Sequence, residues 1–209
     1  MVTGDKAMTS SSVVADPVDP VATAAPGVGK IGMWTFLVTD AMGFGALLLG
    51  YAILRTRAQT WPNPMERLSI PLAAAMTFTL ITSSLTVMLA VAAIRKGSRG
   101  RASVWLAITV FLGLLFVAGQ GYEYQQLLTG PQHLGLSTDL FASTFYTITG
   151  FHGLHVLAGV ISLGALLRLT LGAAGKTGAV HVEVAALFWH FVDFAWVAIF
   201  TFVYLLPTV

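Results

Sequence analysis

Residues 141–169, FASTFYTITGFHGLHVLAGVISLGALLRL, and residues 181–206, HVEVAALFWHFVDFAWVAIFTFVYLL, decide how the chain is read. Each run is long enough to cross the roughly 30 Å hydrocarbon core of a bilayer as a helix rising about 1.5 Å per residue. Yet between them they hold His152, His155, His190 and Asp193 at mid-membrane depth. Such groups are costly in hydrocarbon and face a bundle interior or a cavity. The spacing agrees. His152 and His155 are three residues apart, as are His190 and Asp193, and Glu183 lies seven before His190, so each helix carries its polar groups on one stripe.

The whole composition points the same way. Of 209 residues 56% are hydrophobic and 10% charged, with a mean hydropathy of +0.80, which is the signature of an all-α polytopic membrane bundle and not of a soluble domain. Eleven basic against nine acidic residues give no field to attract nucleic acid, so no nucleic-acid partner is expected. Cysteine is absent, which removes disulfides, thiolate nucleophiles, iron–sulfur centres and thiolate-ligated haem or copper.

Residues 1–29, with Ser10–Ser12 and the prolines Pro17, Pro20 and Pro26, lack periodicity and read as a flexible tail. Residues 30–209 form one membrane domain with five expected helices: 31–54, 68–94, 104–126, 141–169 and 181–206. In the first, Asp40, Gly43, Leu47 and Gly50 make a stripe on which a neighbour can approach closely. Asp40 is either a packing acid or a proton-transfer group. In the second, Thr77, Thr79, Thr82, Ser83, Ser84 and Thr86 serve helix packing or line a conduit. The third places Gly113, Phe116, Gln120 and Glu123 on one stripe, with Tyr122 and Tyr124 near its end.

Basic residues set the orientation. Lys6, Lys30, Arg95, Lys96, Arg99, Arg101, Arg168 and Lys176 fall on the side of the N-terminus, against Arg55, Arg57 and Arg67 on the other, which predicts a cytoplasmic N-terminus and an external C-terminus. Depth along that axis pairs Asp40 with His190, Asp193 with His155 and Glu123 with His152. Spreading the donors over three levels argues against a compact metal shell. Nucleotide-loop, nucleophile-elbow and zinc-protease motifs are lacking. The residues by themselves suit a noncatalytic membrane subunit or a small transporter.

Four segments sharpen this. FYTITGFHGLHVLAGV (145–160) strongly resembles the signature of cytochrome c oxidase subunit III and its quinol oxidase relatives, and HVEVAALFWHFVDFAWVAIFTFVYLL resembles the terminal helix of that family. WTFLVTDAMGFGALL (34–48) and GQGYEYQQL (119–127) agree in order. Residue by residue, Gln120, Glu123 and Tyr124 match the family's Gln/Glu-Tyr segment, and His152 and His155 its two histidines. Glu183, Trp189, His190, Asp193 and Trp196 match its terminal-helix pattern, and Asp40 stands where many members carry glutamate.

The resemblance implies a noncatalytic subunit of a proton-pumping haem-copper terminal oxidase in the bacterial inner membrane. No redox cofactor is then expected on this chain; haem and copper sit on partner subunits, and bound phospholipid is expected. The implied partners are catalytic subunit I, electron-entry subunit II, membrane lipids and a larger respiratory supercomplex. The implied roles are assembly, lipid binding, protection of the active centre and support of proton uptake, with cytochrome c favoured over quinol as donor. Many relatives have seven helices and a lipid cleft between the first two and the other five. This chain matches the five-helix form, so another subunit would have to supply that wall. The alternatives are an accessory subunit of nitric oxide reductase, subunit III of a quinol oxidase, and an unrelated transporter.

Overall fold

The computed structural model of the chain describes residues 28–130, 133–172 and 178–206. The expected tail, apart from its last two residues, lies outside the described residues, as do Lys6 and Lys176. Among the described residues the regular structure is entirely helical: α1 (Val28–Arg57), the single turn α2 (Pro64–Arg67), α3 (Ile70–Arg95), α4 (Arg99–Thr129), α5 (Leu140–Leu171) and α6 (Ala179–Ile199). The last continues into a π-helical segment, Phe200–Leu205. Among the described residues five helices, with α6 extended to Leu205, are long and apolar enough to span a membrane.

The helices begin and end where local chemistry dictates. Asp139 caps α5, its carboxylate accepting from the Ala142 N–H at 2.7 Å. Asn63 caps α2 by accepting from Met65 N–H at 3.2 Å, with Pro64 following at the first helical position, where no N–H is needed. Between α3 and α4 the chain reverses at Gly97, whose φ of 73° lies in the left-handed region open to glycine. The N–H groups of Gly97 and Ser98 there satisfy the carbonyls of Ile94 and Ala93, each at 3.0 Å. The helix expected at 104–126 extends to Arg99 and Thr129, because backbone hydrogen bonding continues through polar turns beyond the apolar core.

Successive helices alternate in direction, as contacts at the two ends require. At one end the start of α1 (Lys30), the end of α3 (Arg95) and the start of α6 (Glu183) meet through ion pairs. At the other, Arg55 donates to the Leu206 carbonyl at 3.1 Å, and Arg67 pairs with Asp139. Helices α3, α4, α5 and α6 pack as a closed group, and α1 rests on its flank against α6 and α5.

One expectation about α1 is corrected. The stripe it buries is Leu37, Phe44 and Tyr51, with Asp40 partly covered between them. Gly43 and Gly50 do not sit at a close helix approach, since a methyl group added at either would meet nothing within 4 Å. The seam is filled by large rings instead: Phe44 lies 5.0 Å from Phe151 and 6.0 Å from Phe191, which holds the helices too far apart for small-residue packing.

Candidate functional site: an intramembrane polar network

Two tryptophans fasten α6 to α3. The indole N–H of Trp189 donates to Ser83 Oγ at 2.9 Å, and that of Trp196 to Thr77 Oγ1 at 2.9 Å. Both rings are fully buried. Each indole needs a partner in an apolar interior, and these hydroxyls supply one while bonding back to their own helix at Leu80 and Ala73. Thr86 bonds across to Thr109 of α4 at 2.8 Å. These hydroxyls of α3 therefore join helices. Gly113 of α4 and Gly159 of α5 make room for Trp189 from either side: an added methyl group would lie 2.6 Å and 2.7 Å from the indole.

On the thin flank Asp40 meets His155, with Oδ1 3.2 Å from Nε2. The other imidazole nitrogen, Nδ1, lies 2.7 Å from the Phe151 carbonyl. A carbonyl only accepts, so a hydrogen bond there has Nδ1 donating, with Nε2 turned to the Asp40 carboxyl. Asp40 Oδ2 is buried without a partner. Phe44 covers the pair, its ring 5.2 Å from that of His155.

At the opposite level the Tyr204 hydroxyl donates to Glu123 Oε2 at 2.7 Å. Among the described residues Glu123 Oε1 and both amide atoms of Gln120 are buried without a bond of standard geometry, Gln120 lying beside Tyr124 and Tyr204. Tyr124 bonds Thr149 of α5 at 2.7 Å. The π-helical segment places Tyr204 inward, so Glu123 is met from α6 by a phenol.

His152 is fully buried, and among the described residues neither ring nitrogen has a partner. Its ring sits 5.6 Å from Phe116, edge-on, and 5.1 Å from Trp196. His190 is half-buried, with Nδ1 2.6 Å from Ser84 Oγ. Asp193, one turn on, lies beside the same serine without a bond of standard geometry. Glu183 is held by Lys30 and by Arg95, whose Nε lies 2.7 Å from Oε1.

All three pairings expected from depth are thereby revised. Asp40 meets His155, not His190; Glu123 meets Tyr204, not His152; and Asp193 stands beside Ser84, not His155. Depth along the membrane normal says nothing about which helices adjoin, and hydroxyl groups, invisible to a search for acids and bases, take the places of imidazoles. Ser84 and Tyr204 were the missed partners. Tyr204 joins the buried face of Trp189, Asp193 and Trp196 through the π-helical segment, so α-helical spacing alone does not mark it. Among the described residues no three of His, Asp or Glu gather closely enough to hold a metal ion.

The sequence profile of the family described as cytochrome c oxidase subunit III matches residues 22–207. Cytochrome c oxidase subunit 3 of Synechocystis is 38% identical over 184 residues, covering 87% of this chain and 77% of the relative. The protein of that name from Alkalihalophilus pseudofirmus is 36% identical over 192 residues, 91% and 93% of the two chains. The probable subunit 3 of Nocardia farcinica is 35% identical over 181 residues, 86% and 88%. The transporter and nitric oxide reductase alternatives are not favoured by these matches. With four motif segments in order, five spanning helices and a match over nearly the whole chain, the protein belongs to the cytochrome c oxidase subunit III family and is a subunit III of a haem-copper oxidase.

Proposed function

We propose that this chain is the noncatalytic subunit of a proton-pumping cytochrome c oxidase in a bacterial inner membrane, N-terminus in the cytoplasm and C-terminus outside. It stands beside catalytic subunit I and electron-entry subunit II, which hold the haems and copper. Its part is to aid assembly, retain lipid, protect the active centre and support proton uptake. The observation that carries the reading is the Asp40–His155 contact. It joins an acid of α1 to an imidazole of α5 within the membrane, about 18 Å from the start of α1, on the flank least covered by the chain's own helices.

Cytochrome c is favoured as donor because the relatives above carry that name. Oxygen uptake by the purified complex, compared with reduced cytochrome c and with quinol, tests it. Turnover with cytochrome c is expected, and turnover with quinol alone would reverse the assignment.

A further inference from the structure

At the end of the bundle that holds Arg67 and Asp139, a cavity of about 360 Å³ lies between the start of α3 and the last turns of α4. Ser69 and Leu72 form one wall, Gln126 and Leu127 the other, and Arg67 stands at the rim. Ser69 and Gln126 are exposed, so the cavity opens at that end. Its lining reaches inward to Glu123, which is only 2% exposed and lies about 9 Å short of the end of α4 at 1.5 Å per residue.

The acid is incompletely satisfied. Among the described residues its Oε2 accepts from Tyr204, but Oε1 and both amide atoms of Gln120, one turn further in, are buried without a bond of standard geometry. Gln120 lies beside the same Tyr204, so three polar atoms in need of partners gather at the inner end of the cavity. Buried polar atoms require a partner, and water, donor and acceptor at once, suits a carboxyl oxygen and both halves of an amide.

The charges select a proton over a metal ion or an anion. Arg67 is paired with Asp139, which leaves Glu123 as the one carboxylate lining the cavity, a poor match to a hard cation that takes six or more oxygen ligands. The other ionisable groups around Glu123 are phenols: Tyr204 from the end of α6, Tyr124 on α4 itself and Tyr146 from α5. Helix α3 has no ionisable side chain before Arg95 at its far end. Beyond Gln120 the path is shut, because Phe116 meets Trp196 edge-on at 4.7 Å and both rings are fully buried.

We propose that Glu123 is a proton-binding site that exchanges with the aqueous phase at this end of the bundle, through water in the cavity. In the proposed orientation that phase is external, opposite to the side of proton uptake; only this designation rests on that reading. Gain or loss of the proton changes the acceptor that Tyr204 meets. The acidity of that phase is thereby coupled to the fastening of α4 on the end of α6.

The test places the purified complex in sealed vesicles, sorted into one orientation by a tag at Gly130, steps the pH on one side at a time and records infrared difference spectra. The C=O band of a protonated carboxyl should grow when the side shared with Gly130 is acidified. It should be lost in Glu123→Gln, which keeps size and hydrogen bonding without ionisation, and shifted in Tyr204→Phe, which removes the donor. Ser69→Phe, which fills the mouth at a position that makes no side-chain cap bond, should slow the appearance of the band. A band that answers only to the side of Gly97, one that persists unchanged in Glu123→Gln, or an unchanged rate in a Ser69→Phe complex that assembles would each overturn the proposal. The unsubstituted complex and Glu123→Gln decide the matter even where the filled variant does not assemble. An inverted topology would show separately, in tag labelling at Gly97 and Gly130, and failure of the oxidase assignment in the identity of the accompanying subunits.

Discussion

At the scale of single residues, Asp40 separates packing from proton handling. Replacing it with asparagine keeps volume and a hydrogen-bonding group opposite His155 Nε2, but removes ionisation. If the pair serves proton uptake, the D40N complex should keep its haem spectrum and turn over more slowly, most clearly where proton supply limits the rate. A packing role alone would leave D40N near normal, while D40L, which strands His155 Nε2 in the membrane, would assemble poorly. Turnover per assembled complex decides between them. The identity of these groups was legible in advance: Asp40, Glu123, His152, His155, Glu183, His190 and Asp193 are all on inward or partly covered faces. Their partners were not, since a partner depends on helix adjacency and rotation, which spacing within one helix does not contain.

At the scale of elements, the approach of α4 and α5 to α6 is set by Trp189 lying between Gly113 and Gly159. Gly113→Ala would force the indole and Val160 to move, and Gly159→Ala the indole, each an overpacking cost of about 1–3 kcal/mol. The expected outcome is a lowered midpoint of thermal dissociation and a lower yield of assembled complex, with the donor preference unchanged. Gly43→Ala should have no such effect within this chain, because nothing lies within 4 Å of the added methyl group. The contrast follows from ring size. The helices and their order were readable from hydropathy and breaks at glycine and proline, and the stripe Gly113, Phe116, Gln120, Glu123 is buried as its spacing required. Which glycines lie at a close approach was not readable, since α1 carries several and uses neither Gly43 nor Gly50 for one. The turn α2 and the π-helical end of α6 also escaped a reading built on α-helical periodicity alone.

At the scale of the whole molecule, the alternation of five helices brings Lys30, Arg95 and Glu183 to one end and Arg55, Arg67 and Asp139 to the other. In the proposed orientation, which rests on the bias of basic residues, the first end faces the cytoplasm. Accessibility labelling of tags placed at Met1, Gly97 and Gly130 should find the first two inside and the third outside; external labelling at Gly97 would invert the topology. Whether this bundle stands as a non-redox neighbour of a haem-copper centre is read by purifying the complex in mild detergent through a tag on this chain, identifying its companions, and assaying haem and copper before and after the chain is stripped away. A haem-copper catalytic subunit is expected among the companions, with the metals staying on it when this chain is removed. A chain that purifies alone with bound iron, or whose companions are those of a nitric oxide reductase, would contradict it.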